Sequence, residues 1–178
     1  FRCLAVGPDN RIYAASSWEV RDHIKILDLN LNLIGSIWVT AQTGSEFSAP
    51  LGLAVDSKTN IYYLHEPYVI EKFNSAGNSL LTWGGKGTND GQFESYFDAT
   101  YNRMAIDKND EIYIVDEVNH RIQVFDTNGL FLRKWGSFGD LSGQLNYPSG
   151  IGIADDGDVF VYGRTATTTS PITRRGRS

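Results

Sequence analysis

LAVGPDNRIYA at residues 4–14 returns as LAVDSKTNIYY at 53–63, as MAIDKNDEIYI at 104–114 and as IGIADDGDVFV at 151–161. The copies start 49, 51 and 47 residues apart. Each is an apolar run, a turn rich in Asp, Asn, Gly or Lys, and a second apolar run, which is the pattern of a β-hairpin. A period of about 40 to 50 residues with several strands per unit belongs to β-propellers rather than to helical solenoids.

The third unit shows a whole blade. Its strands are expected at residues 103–107, 111–116, 121–126 and 130–135, joined by turns at KND, EVNH and TNG. The Asn128-Gly129 pair predicts a two-residue hairpin turn with φ above zero at both central positions. Ala76-Gly77 repeats that signal less ideally in the second unit. Each last strand ends near a tryptophan, Trp38, Trp83 or Trp135, and large aromatics at a repeat period are expected to fill the space between blades.

Composition sets outer limits. With 178 residues, 41% of them hydrophobic and 12% aromatic, the chain is long and apolar enough for one globular domain. A net charge of −5 disfavours a nucleic-acid partner, which needs clustered Lys and Arg to displace counterions. The one cysteine, Cys3, is expected to be a buried thiol and leaves the compartment open. No apolar run approaches the roughly 18 residues of a membrane-spanning helix, so no membrane insertion is expected.

From IYIVD at 112–116 through EVNHRIQVFD at 117–126 to NGLFLRKWGSFGDLSGQLNYPSGIGI at 128–153, the chain resembles the NHL repeat. The second unit keeps GLAVD, NIYY, LLTWGGKG and DGQF of the same pattern. The resemblance implies an all-β fold of four-stranded antiparallel β-propeller blades over residues 1–162, in units near 1–50, 51–101 and 102–149 with a partial unit at 150–162. Related rings close with six blades, so three and a half units imply an incomplete ring or a fragment of a six-bladed propeller. The remaining blades are expected from the rest of a longer chain or from a second copy. Residues 163–178, rich in Ser, Thr and Arg, are expected to be a flexible tail.

In NHL proteins the Asp ending the second strand and the His-Arg opening the third form an intrablade polar network. By resemblance that role falls on Asp116, His120 and Arg121. A structural role outweighs acid/base chemistry for these residues, because buried turn groups need hydrogen-bond partners. The second unit carries His65 and Tyr68-Val69 at these positions, and the first carries Ser16 and Asp22-His23. Those units are expected to lack the network.

Function is expected on the loop face, built from residues 39–51, 65–68, 84–102, 117–120 and 136–150. One loop is long: Phe93 to Met104 spans eleven residues, whereas Phe47 to Leu53 and Leu145 to Ile151 each span six. The insertion places Tyr96, Phe97 and Tyr101 around Asp98, a candidate binding lip with Arg103 and Tyr68 beside it. The plainer role for those rings is to cap the blade's apolar end.

Catalytic patterns are weak. His23, His65 and His120 fall at outer turns of three different units, away from a common metal. Asp155, Asp156 and Asp158 lack the alternation and terminal Glu of a calcium loop. No metal and no cofactor are expected. The leading expectation is a non-catalytic module that binds a protein, peptide or glycan through its loop face. The alternatives are a metal-dependent lyase- or lactonase-like propeller enzyme with a channel-centred site, and a single-stranded RNA-binding NHL domain.

Overall fold

A computed structural model describes residues 1–16, 23–39, 49–94 and 102–163. These residues form fourteen strands in four antiparallel sheets. The first sheet is β1 (Cys3–Val6), β2 (Ile12–Ser16), β3 (His23–Leu27) and β4 (Leu33–Trp38). The second is β5 (Pro50–Val55), β6 (Ile61–His65), β7 (Val69–Phe73) and β8 (Ser79–Gly84). The third is β9 (Met104–Ile106), β10 (Ile112–Asp116), β11 (Arg121–Phe125) and β12 (Phe131–Trp135). The fourth has two strands, β13 (Pro148–Ile153) and β14 (Val159–Gly163). Each sheet is a meander in sequence order, the topology of propeller blades, and the ring is open. Pro50 and Pro148 already belong to their strands, so the second and fourth sheets begin slightly before the boundaries read from sequence.

The strand alternation has two apolar outcomes rather than one. In an ordinary half-exposed sheet one face meets water, but here both faces of a central blade are covered by its neighbours. Tyr13, Ala15, Ile24 and Ile37 of the first blade pack on Leu53, Val55, Ile61, Tyr63 and Phe73 of the second. Ala54, Tyr62, Leu64 and Ile70, on the second blade's opposite face, pack on Met104, Ile112, Ile114 and Phe125 of the third. Tyr113, Val115 and Ile122 then pack against Ile151, Ile153, Val159 and Val161 of the fourth. The core is thus a row of layers between blades, each one residue out of phase with the last.

One turn design recurs. Asp28, Asp56, Asn74, Asp107 and Asp126 each open a hairpin loop, and in each Oδ1 accepts the backbone N–H groups two and four residues on. The residue three positions on turns left-handed: Leu31, Thr59, Gly77, Asp110 and Gly129. Its N–H donates to the carbonyl of the opening residue. The short Asp or Asn side chain replaces turn hydrogen bonds that the backbone alone cannot make.

This corrects the expectation at Asn128-Gly129. Only Gly129 has positive φ, at +76°, and the ladder slips by one residue between Val124 and Phe125. The loop is therefore a type I turn closed by a left-handed residue with a bulge, not the two-residue turn with both centres left-handed. The Asp126 side chain selects it, by holding the Asn128 and Leu130 amides at 2.8 and 2.9 Å.

The tryptophans divide as well. Trp83 pairs across the ladder with Ile70, and Trp135 with Ile122, so both indoles turn into the layer toward the next blade. In the first blade Ile24 pairs with Ile37, and Trp38 falls one residue later, at the position of Gly84. A one-residue step reverses the face. Trp38 is accordingly 57% exposed, and Ile37 fills the layer in its place.

The Gly129 geometry gives a direct test. A Cβ there would lie 2.9 Å from the Trp83 indole as well as in a left-handed backbone. Gly129→Ala should lower unfolding free energy by about 1–2 kcal/mol or more. Asn128→Ala, at negative φ, should cost under about 1 kcal/mol. Chemical denaturation of both variants distinguishes this loop from the two-residue turn, which would penalise both.

Candidate functional site

The loop from β8 to β9 is built before it reaches the long insertion. Gly85 donates its N–H to the Tyr68 carbonyl, Phe93 donates back to the Gly85 carbonyl, and Gly87 donates to the Phe93 carbonyl. The Gln92 side chain folds inward against Gly87, where any Cβ would collide with its Oε1. That oxygen accepts the Asn89 N–H. The loop between β12 and β13 repeats the design: Gln144 lies against Gly139, and its Oε1 accepts the Leu141 N–H. The glutamines of DGQF and SGQL are therefore loop staples. Sequence reading passed over them, although a Gly five residues before a Gln in both units was a visible signal.

Asp116 is the hub beneath this loop. One carboxylate oxygen accepts the Glu94 N–H at 2.9 Å and Asn119 Nδ2 at 2.8 Å. The other accepts Arg121 Nε at 2.6 Å and Gln123 Nε2 at 3.0 Å. Arg121 extends the hub by donating to the carbonyls of Asn89 and Gln92, and Gln123 accepts the Gly91 N–H. Burial holds the Asp116 carboxyl above its ordinary pKa, and these donors with the Arg121 charge offset only part of that rise. The network thus ties the third blade to the loop arriving from the second, and it recruits Gln123 and Asn119 besides the expected pair.

His120 stands outside that hub. Its Nδ1 accepts the Tyr147 N–H at 3.2 Å, and its ring packs between Phe138 at 4.7 Å and Tyr147 at 4.5 Å. These partners come from the following interblade loop, far along the sequence, which is why the local His-Arg pattern did not reveal them. Desolvation against the two rings holds the imidazole below its ordinary pKa.

Of the candidate ligand contacts, Tyr96, Phe97, Asp98 and Tyr101 lie outside the described residues. Tyr68 and Arg103 do not line an open surface, because the layer between the second and third blades closes over them. The Tyr68 ring belongs to that apolar layer. Arg103 is 2% exposed, and its Nη2 meets Glu117 Oε2 at 2.8 Å. Burial draws the guanidinium pKa down, and Glu117 opposes the shift. Its Nε and Nη1 have no hydrogen-bond partner among the described residues. Arg103 stands where Gly52 and Gly150 stand in the flanking units, so its bulk and charge are particular to this blade. Next to it Asn102 accepts the Leu53 N–H and donates to the carbonyls of Leu53 and Leu4, joining the inner strands of three blades.

Around the rim the charges are paired: Lys86 with Glu94 at 3.0 Å, and Lys134 and Arg121 with Asp90. Among the described residues no three His, Cys, Asp or Glu side chains gather where one metal ion could be held. No described helix is long and apolar enough to cross a membrane.

Two outcomes follow. Asp116→Ala leaves Arg121 buried without its carboxylate and should lower unfolding free energy by about 3–5 kcal/mol in denaturant titration; a loss under about 1 kcal/mol would contradict the hub. For His120, the fold favours neutral imidazole. Its stabilisation is present above the ordinary value near 6.5 and is lost as pH falls through the lower folded pKa. An NMR titration of the His120 ring should therefore give a midpoint below 6.5, and a midpoint above it would contradict the packing described.

Comparison with known proteins agrees with this architecture. Residues 102–125 match the NHL repeat family. Protein brain tumor of Drosophila melanogaster is 35% identical over 65 residues, which are 36% of this chain and 6% of that protein. Virginiamycin B lyase from Staphylococcus aureus superposes with a TM-score of 0.60 at 13% identity, over 91% of this chain and 48% of the lyase. A protein of unknown function from Bacteroides caccae gives a TM-score of 0.54 at 15% identity, over 90% of this chain and 52% of that one. The Dos1 propeller gives 0.59 at 11% identity, over 90% and 38%. The chain thus spans about half the length of the first two solved structures and a small part of the Drosophila protein. Its residues 102–125 match the NHL repeat, and the described residues form a run of β-propeller blades.

Proposed function

We propose that this chain is a non-catalytic binding module whose loop face engages a peptide segment of a protein partner. The observation that carries the proposal is the use to which the polar side chains are put. Asp116, Arg121, Gln123, Gln92 and Gln144 each hydrogen-bond loop backbone, Asp116 also holding Asn119, Arg121 and Gln123, and His120 spends its acceptor on Tyr147. Groups so occupied stiffen loops and leave little capacity for proton transfer. Rigid loops on a fixed scaffold lower the ordering cost of binding, which favours a recognition surface.

The contact region of this proposal is residues 95–101, with Tyr96, Phe97 and Tyr101 as aromatic anchors and Asp98 as the charge that orients a cationic peptide group. Beyond it in the sequence, Arg103 and Glu117 form a buried ion pair. The paired rim charges and the net charge of −5 argue against a strand of RNA as the occupant.

Peptides selected from a random display library against the wild-type protein provide the probe. Tyr96→Ala combined with Phe97→Ala should weaken their binding at least tenfold while leaving the melting temperature in place. Unchanged affinity would overturn the assignment of the lip. Saturable binding of a poly(U) oligonucleotide, weakening steeply with salt, would replace the peptide with RNA.

A further inference from the structure

The two interblade loops stapled by glutamine present different surfaces. Lys86 and Asn89 of the first loop correspond to Phe138 and Leu141 of the second: Lys86 bridges Phe93 as Phe138 bridges Leu145, and the Asn89 and Leu141 amides both donate to the stapling glutamine. Lys86 and Asn89 are exposed although all four strands of the third blade follow them, and the Lys86 side chain is 62% exposed. These positions therefore face solvent in a loop whose neighbouring blade is complete. At the same positions Phe138 is 62% and Leu141 75% exposed. A ring and a leucine stand where the other loop has a lysine and an asparagine, and adjoining exposed apolar side chains mark a contact surface.

Phe138 belongs to an aromatic cluster. Its ring centroid lies 4.7 Å from His120 and 6.3 Å from Tyr147, and His120 lies 4.5 Å from Tyr147. Because His120 Nδ1 accepts the Tyr147 N–H, the imidazole proton sits on Nε2, and that N–H reaches solvent at the half-buried ring. Tyr147 holds its place with a left-handed backbone, φ +44°, which tyrosine seldom adopts. Asp140 is exposed and accepts Asn146 Nδ2 at 3.2 Å, which ties it to the residue preceding Tyr147. Other rim carboxylates are neutralised, Glu94 by Lys86 and Asp90 by Lys134 and Arg121, whereas none of the described residues brings a cation to Asp140.

We propose that His120, Phe138, Asp140, Leu141 and Tyr147 form a subsite for an arginine or lysine of the bound peptide. This rests on the reading of the loop face as a peptide-binding surface, and it adds a second contact separate from residues 95–101. The alkyl stem of the cationic side chain lies along Phe138 and Tyr147, and its head meets the Asp140 carboxylate. A peptide carbonyl beside it accepts the His120 Nε2–H, and Leu141 receives an apolar neighbour of the same residue. Charge decides the occupant. A carboxylate without a cation, set beside exposed rings, attracts a positive group and repels phosphate, which favours a basic peptide over a nucleic-acid strand.

The test pans two peptide display libraries, one with a fixed central arginine and one with a fixed central glutamate, against the wild-type protein and Asp140→Lys. Wild type should return binders from the arginine library, and Asp140→Lys should shift the preference to the glutamate library. Phe138→Ala and Asp140→Asn should each weaken a selected arginine peptide at least about fivefold, read by fluorescence polarisation. Thermal melting checks that each variant folds, and the exposed Asp140 variants carry the test should Phe138→Ala unsettle the loop. A wild-type protein that returns no arginine-library binders would overturn the subsite. So would an unchanged preference in Asp140→Lys, or arginine peptides indifferent to both Phe138 and Asp140. If such peptides still lose affinity with Tyr96→Ala and Phe97→Ala, the lip at residues 95–101 stands without this subsite. Sensitivity to Phe138 and Asp140 alone would support the subsite and remove the lip.

Discussion

A propeller blade is apolar on both faces, and that is the constraint from which the rest of this structure follows. One four-stranded sheet of this size cannot bury Leu53 and Ala54 at once, since adjacent residues of a strand point to opposite sides. Each fully buried Leu, Ile or Phe contributes about 1.5–3 kcal/mol, and none of that is available to a blade in isolation. The blades therefore stabilise one another as nearest neighbours, as in other repeat architectures. Loops, turn carboxylates and the Asp116 hub all serve to hold the sheets at the spacing at which these layers close.

The polar framework divides by face. On the side of the β1–β2, β5–β6 and β9–β10 turns, Asp side chains fix the hairpins and reach neighbouring blades, as where Asp110 accepts from the Ser57 amide and hydroxyl. On the opposite side, Gln92, Asp116, Arg121 and Gln123 knit the loop of one blade to the turn of the next. That second face also holds the buried Arg103–Glu117 pair.

Much of this was legible in the chain. The period and the strand positions follow from alternation and turn residues, which are local properties. Asp116 and Arg121 stood out by their pattern, and the two hydrogen-bond each other. What the sequence hid was long-range or a matter of single-residue phase. Trp38 looks like Trp83 and Trp135 until the ladder register shows it one step out, on the other face. His120 looks like a partner of Asp116 until Phe138 and Tyr147 arrive from another loop. Arg103 looked like a surface contact, because nothing local predicts that a residue aligned with Gly52 and Gly150 will be buried against Glu117. Asn128-Gly129 misled for a nearer reason: the Asp two residues before Asn128 decides the turn type.

The central claim is that stability resides in contacts between blades rather than within them. Trp83 of the second blade and Phe125 of the third meet across such a layer, with ring centroids 6.4 Å apart. A double-mutant cycle of Trp83→Leu and Phe125→Leu, read by equilibrium unfolding, measures that contact directly. The account predicts a favourable coupling of about 0.5–1.5 kcal/mol. A coupling indistinguishable from zero, with the two losses simply adding, would contradict it.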